Sequence, residues 1–304
     1  MINMMTAGLF PGQGSQFVGM GKELVAQSEI VRDIFAEADD ILGFALSDVC
    51  FSGPPEELKR TSVAQPALVT MSIALWRLLE SMGFTMDITA GHSLGEYSAL
   101  VAAGALQFAD AIRLVRCRGE VMELAASAHP GGMAAILSLS DDVVREMCVA
   151  ISTTHGIVTP ANYNSPGQVV VSGESGAISA IRAEAKARGG RAIPLAVSGP
   201  FHSPLMSSAA EAFASTLAAV PIVTPTIPVV SNVTAMATTD VGIIRDALAR
   251  QITGSVQWVN SLYAIRDCGV QRFVEIGPGN VLTGLAQRAV PEIPALTSAE
   301  AMLL

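Results

Sequence analysis

The stretch Asp87-Ile88-Thr89-Ala90-Gly91-His92-Ser93-Leu94-Gly95-Glu96-Tyr97 sets a Gly-x-Ser-x-Gly pentapeptide between an apolar run and a helical pattern. The residues from Asp87 to Ala90 read as the end of a short buried strand. Those from Glu96 to Ala103 read as a helix that Gly104 stops. Strand, sharp turn and helix around such a pentapeptide form a nucleophile elbow, in which the serine hydroxyl stands exposed above the sheet. The helix that follows aims its free N–H groups and positive dipole end at that hydroxyl, where an oxyanion would form. The bland alternative is a Gly/Ser turn without chemistry; the flanking elements favour a nucleophilic Ser93.

Outward from the elbow, the chain alternates strands and helices. Before it come a strand at Thr6–Phe10, a Gly-rich loop Pro11-Gly12-Gln13-Gly14-Ser15-Gln16, and helical patterns near 28–43 and 64–82. The loop lacks the Lys and Ser/Thr of a P-loop and the spacing of a dinucleotide fingerprint. A loop of this kind can instead bring one polar side chain or backbone N–H into a site, and Gln13 is the candidate. After the elbow a longer helix runs from about Asp110 to Ala126. From Gly132 the rhythm becomes β-α-β-β-α-β up to Val197, a ferredoxin-like order. Helices at 205–219, 241–252, 258–268 and 281–289 and strands at 227–231 and 272–276 follow. The expected fold class is therefore α/β: a mostly parallel sheet in an α/β-hydrolase-like large domain (1–130 and 198–304), with an inserted ferredoxin-like subdomain (131–197).

With 304 residues, 50% hydrophobic and 15% charged, the chain is a globular one with a sizeable core. Pro66 to Trp76 is among its longest apolar runs, short of the roughly 18 residues of a membrane helix. The start, Met1 to Gly12, carries no signal-peptide pattern. A net charge of −9 argues against nucleic acid or an anionic membrane as the main partner. Cys50, Cys117, Cys148 and Cys268 are far apart without a Cys-x-x-Cys pair, so they read as reduced thiols of a cytoplasmic protein with no metal site.

A nucleophilic serine needs a base. His92 adjoins Ser93 and reads as structural, with its side chain turned from the hydroxyl. His129 and His155 fall in loop or subdomain segments. His202, in Val197-Ser198-Gly199-Pro200-Phe201-His202-Ser203-Pro204, follows the strand that re-enters the main sheet, where sites of such sheets assemble. No Asp or Glu lies in a clear post-strand loop shortly before it. A dyad whose imidazole is oriented by a carbonyl would serve the same purpose. On a wheel of about 100° per residue, Arg118 falls within the apolar arc of Ala111, Leu114, Val115, Val121, Met122 and Ala125. A guanidinium there requires an internal salt bridge, a snorkelling side chain, or a substrate carboxylate to clamp bidentately.

Further runs complete a pattern: Asn162-Tyr163-Asn164-Ser165-Pro166-Gly167-Gln168, Phe201-His202-Ser203-Pro204-Leu205-Met206, Val256-Gln257-Trp258 and Glu275-Ile276-Gly277-Pro278-Gly279. With the Phe10–Gln16 loop, the Gly91–Tyr97 elbow and Arg118-Gly119, the chain resembles the malonyl-CoA:acyl-carrier-protein transacylases over nearly its whole length. That family loads bacterial fatty-acid synthesis and is related to polyketide-synthase acyltransferase domains. The resemblance implies a ping-pong transfer of malonyl from malonyl-CoA to acyl carrier protein through a malonyl ester of Ser93, with His202 as base. It implies an oxyanion hole from the N–H groups of Gln13 and Leu94, and Arg118 on the malonate carboxylate. The Gln257 carbonyl would orient His202, Asn162 or Asn164 would contact His202 or the thioester arm, and the bulk of Phe201 would exclude an α-methyl group. No metal or redox cofactor is implied, coenzyme A being part of a substrate. An acyltransferase of a polyketide or malonate decarboxylase system, or a serine hydrolase, would share Ser93 and His202.

Overall fold

The computed structural model describes residues 4–303; the first three residues of the start read above, and Leu304, lie outside them. The run Thr6–Phe10 (β1) is buried along its whole length, as a central strand covered on both faces must be. It pairs in parallel with Ile88–Gly91 (β2) on one side and with Arg272–Glu275 (β9) on the other. Between these in sequence come Gly131–Leu137 (β3), Val158–Ser165 (β4), Gln168–Glu174 (β5), Arg191–Pro194 (β6), Val229–Val230 (β7) and Ala237–Thr238 (β8); Ala295–Thr297 (β10) ends the series. The first sheet has the order β10-β9-β1-β2-β7-β8, parallel throughout except for β8 at its edge. Its outer strand β10 and the capped turn of helix Ser298–Ala301 lie in the tail that the sequence reading left unassigned. Between the two longer helical patterns, short helices Leu46–Ser52 and Pro55–Lys59 close on the Gly53-Pro54 junction from both sides.

The register pairs Phe10 with Gly91, so the Gly-rich loop after β1 and the elbow after β2 leave the sheet side by side. Glycine is required at the turn. A Cβ on Gly95 would stand 2.0 Å from the Phe10 carbonyl oxygen, and one on Gly91 would stand 1.9 Å from the Gly95 backbone. The helix Gly95–Ala102 can then start directly over the strands.

The second sheet is antiparallel, with the order β4-β5-β3-β6 and helices Asp141–Ser152 and Ser175–Ala187 on one face. Alternate residues of a strand point to opposite faces. Ala134, Ile136, Val169 and Val171 pack under the two helices, while Met133, Ala135 and Val170 join the core shared with the first sheet. Two backbone bonds fasten β4 to the rest of the chain, Tyr163 N to Val256 O at 2.9 Å and Val256 N to Ala161 O at 2.8 Å.

The floor between the sheets is a pair of helices, Thr61–Ser81 and Phe108–Ala128. The first is, among the described residues, the one helix long and apolar enough to cross a membrane; 89% of its apolar window is buried inside the protein, as in a core helix. Its Pro66 has no N–H for the Ser62 carbonyl, which accepts instead from Arg116 Nη1 at 3.0 Å. Ser62 N and Oγ donate to Glu123 Oε1 at 2.9 and 3.0 Å. The helices touch at Gly119, where a Cβ would meet Ser62 Cα at 2.6 Å.

Gly119→Ala therefore forces the two helices apart. It should cost about 1–3 kcal/mol in urea unfolding. Gly132→Ala, whose Cβ meets nothing within 4 Å, should change stability by less than about 1 kcal/mol. Equal small effects from both would remove the close crossing as a constraint.

Candidate active site

Two side chains that converge on one cleft hang from strained backbone. Ser93 has φ 50° and His202 φ 57°, a left-handed conformation that costs a non-glycine residue energy and concentrates at functional sites. The turn at Ser93 is pinned by its own N–H, which donates to Asn232 Oδ1 at 2.6 Å. Asn232 Nδ2 in turn donates to the Gly91 carbonyl at 2.6 Å.

His202 is 5% exposed, and its tautomer follows from its partners. Nδ1 lies 2.9 Å from the Gln251 carbonyl oxygen and 3.1 Å from that of Gly254. Carbonyls only accept, so Nδ1 carries the proton and Nε2 has a free lone pair. Ser93 Oγ donates to that lone pair at 2.7 Å. Serine hydroxyl and basic imidazole nitrogen are thus in hydrogen-bond contact, with the ring fixed from behind by neutral carbonyls. The expected carbonyl was that of Gln257, and this is corrected. Gln257 O accepts from Ser261 N at 2.8 Å and Ser261 Oγ at 3.0 Å, because residue 257 already begins the helix Trp258–Asp267. The chain reaches the imidazole earlier, at the end of the helix Val241–Gln251.

Arg118 is 1% exposed. Nη1 donates to Gln65 Oε1 at 3.0 Å, and Nη2 to Gln251 Oε1 at 3.0 Å and to Ser93 Oγ at 3.3 Å. These acceptors are two amides and a hydroxyl, none of them anionic. The Tyr97 ring lies 5.6 Å below the guanidinium carbon, and Nε has no hydrogen-bond partner among the described residues. Of the alternatives the wheel left, snorkelling is removed by this burial. A buried cation whose hydrogen-bond acceptors are all neutral, beside a nucleophile, has the chemistry to receive an anion.

The electrostatics agree. Burial and then the Arg118 charge push His202 down to about 3, so the imidazole is neutral at ordinary pH, with its Nε2 lone pair free to take a proton. Burial also lowers His92. Burial raises Glu96, 2% exposed, to about 7 against the pull of Gln251, Asn232 and Arg118.

The cleft is lined by Gln13, Leu94, Arg118, Asn162, Phe201 and His202, among others. The backbone N–H groups of Gln13 and Leu94 make no hydrogen bond to the described residues. Asn162 is buried in the wall on β4, whereas Asn164 meets His92, not His202: His92 Nε2 donates to Asn164 Oδ1 at 2.8 Å. His92 itself lines the cleft, edge-on to Trp258, so it is structural in its bonds yet faces the site. Gln257 does not line it. The sequence reading missed Gln65, Gln251 and Asn232, polar residues buried to 0% exposure. A buried-looking Gln one residue before Pro66 was the available signal for the first.

Ser93 should react with a fluorophosphonate, and the pH dependence of that rate is diagnostic. The acid limb should lie well below the 6.5 of an ordinary imidazole, and Arg118→Ala should move it upward. A wild-type limb near 6.5 would contradict the assignment. Because the folded value lies below the unfolded one, the unfolded chain takes the proton first as pH falls. His202 therefore withdraws stability between 6.5 and about 3.

Comparison with known proteins gives a consistent result. The family model described as acyl transferase domain matches residues 9–302. The malonyl CoA-acyl carrier protein transacylase of Salmonella typhimurium is 48% identical over 289 residues, 94% of this chain and 93% of that one. The crystal structure of an acyl-carrier-protein-S-malonyltransferase from Bartonella henselae superposes with a TM-score of 0.95 at 42% identity, covering 99% of this chain and 98% of the other. A malonyl-transacylase solved in complex with a type II PKS acyl-carrier protein superposes with a TM-score of 0.93 at 43% identity, over 96% of this chain and 95% of that one.

Proposed function

The chain belongs to the acyl transferase domain family, and we propose that its site moves a malonyl group from malonyl-CoA to the phosphopantetheine thiol of acyl carrier protein. The observation that carries this reading is Arg118, a buried cation 3.3 Å from the hydroxyl that would be acylated. Malonyl bears a carboxylate at the far end of its acyl group, within reach of that cation; acetyl does not.

In the first half-reaction Ser93 Oγ attacks the thioester carbonyl and its proton passes to His202 Nε2. The carbonyl π electrons move onto oxygen, and the N–H groups of Gln13 and Leu94 stabilise that oxyanion. The oxyanion then collapses, the C–S bond breaks, and coenzyme A leaves as a thiol with the proton from His202. In the second half the carrier's thiol gives its proton to His202 and its sulfur attacks the ester. The C–O bond breaks and Ser93 recovers its proton. Atoms and charges balance with no metal or redox cofactor. The neutral carbonyls of Gln251 and Gly254 hold the ring without a buried carboxylate.

Phe201 and Asn162 line the acyl chamber; the ring of Phe201 would crowd an α-methyl, and Asn162 would meet the thioester arm. We infer that residues 131–197 form a ferredoxin-like subdomain that walls the cleft, on a large domain built like the α/β hydrolases around its elbow. A cytoplasmic location agrees with the reduced thiols.

Intact-protein mass spectrometry after brief exposure to malonyl-CoA should reveal one malonyl adduct, absent in Ser93→Ala and discharged by holo acyl carrier protein. Free malonate without an adduct would make the protein a hydrolase instead. In Arg118→Ala, malonyl transfer should fall on the order of 10²-fold or more, the loss of two charge-assisted hydrogen bonds at about 1.5–3 kcal/mol each, while acetyl transfer holds. Equal losses for the two acyl groups would remove the clamp.

A further inference from the structure

Glu96 follows the elbow and takes no part in the transfer described above. It is nonetheless buried behind the site, and both of its recorded hydrogen bonds run to residues that shape it. Its Oε2 accepts from Gln251 Nε2 at 2.6 Å and from Asn232 N at 3.2 Å. Gln251 Nε2 has a second acceptor, the Ser93 carbonyl oxygen at 3.0 Å. Both amide hydrogens of Gln251 are thereby held, and its Oε1 is left to face Arg118 Nη2 at 3.0 Å. The reverse orientation would set Nε2 against the guanidinium, donor to donor, and Oε1 against two oxygen acceptors. The amide therefore has one tolerable orientation as long as Glu96 offers its oxygen.

We propose that Glu96 is a positioning residue for the acyl-carboxylate site: by holding the Gln251 amide it fixes the acceptor that aims Arg118 at the acyl group. The proposal rests on Arg118 being the carboxylate clamp. It assigns the selectivity of the site to a chain of three side chains, Glu96 to Gln251 to Arg118, of which only the last would touch the substrate. Gln65 holds Nη1 from the other side. Loss of the Gln251 acceptor thus frees the guanidinium to swing about one contact without expelling it. The Gln251 backbone carbonyl that holds His202 belongs to the end of a helix and does not depend on where the side-chain amide points. The other bond of Glu96, to Asn232 N, braces the turn that carries Ser93 and serves both acyl groups alike, so the effect of Glu96 on malonyl selectivity is read from the ratio of the two transfers.

The test is the ratio of kcat/KM for malonyl-CoA to that for acetyl-CoA in wild type, E96Q, E96D, E96A and R118A, each checked for folding by thermal unfolding. E96Q keeps an oxygen at the same reach and should keep the ratio within about 3-fold, the effect of roughly 0.6 kcal/mol. E96A should lower it about 10-fold or more, the net effect of one hydrogen bond to a charged group, beyond any loss common to both acyl groups from the weaker hold on Asn232. E96D keeps the charge but is shorter by one methylene, and should follow E96A; it carries the test if E96A does not fold. A ratio unchanged in E96A and E96D, or lost equally in E96Q, would overturn the positioning role. The R118A arm separates the two readings. A collapsed ratio there with an intact one in E96A refutes Glu96 alone, whereas an intact ratio in R118A refutes the clamp on which it rests.

Discussion

A guanidinium with almost no exposure to water, held by two glutamine oxygens and a serine hydroxyl, dictates much of the surrounding structure. Removing such a cation from water is costly unless its donors are met. Both terminal nitrogens are met here, and the arrangement draws on side chains of three separate helices and on Ser93 at the elbow. Gln65 comes from Thr61–Ser81, Gln251 from Val241–Gln251, and Arg118 itself from Phe108–Ala128. The close crossing at Gly119 sets the distance between the first and the last of these. Stability and selectivity are therefore coupled. The same helix contact that builds the floor of the core places the positive charge next to Ser93.

That charge has a second consequence. It lies on the nucleophile and helps to depress the basicity of His202. The base is neutral and available, and a protonated His202 would be a strong acid toward a departing thiolate. A carboxylate behind the imidazole, as in a full triad, would raise its basicity and would add an anion close to Arg118, the site proposed for the malonyl carboxylate. Carbonyls of Gln251 and Gly254 orient the ring without that charge. The dyad and the buried arginine are thus two sides of one electrostatic arrangement.

Much of this was legible in the sequence, and the reasons differ from residue to residue. Ser93 is announced by a local pattern, since an elbow needs glycines at fixed spacing and those contacts are short-range. Arg118 is exposed by contradiction, a charge on the apolar arc of an amphipathic helix. The antiparallel β-α-β-β-α-β order and most of the parallel strands follow from periodicity. Gln251, Gln65 and Glu96, in helices, and Asn232, in the turn after β7, were not legible as a group, because their burial is set by elements distant in sequence that cover them. The choice of Gln257 as orienting carbonyl failed for a related reason. Which carbonyl of the 251–257 turn faces His202 depends on where one helix ends and the next begins. Strand β10 escaped because three residues pairing with an edge carry no period of their own.

The central claim is that the acyl group sits on Ser93 with its distal carboxylate on Arg118. A crystal structure of the enzyme trapped after reaction with malonyl-CoA tests it directly. The account predicts an ester at Ser93 Oγ, the ester oxygen toward the N–H groups of Gln13 and Leu94, and the free carboxylate accepting from the guanidinium. An ester whose carboxylate points to solvent or to another residue, with Arg118 still held only by Gln65 and Gln251, would contradict it.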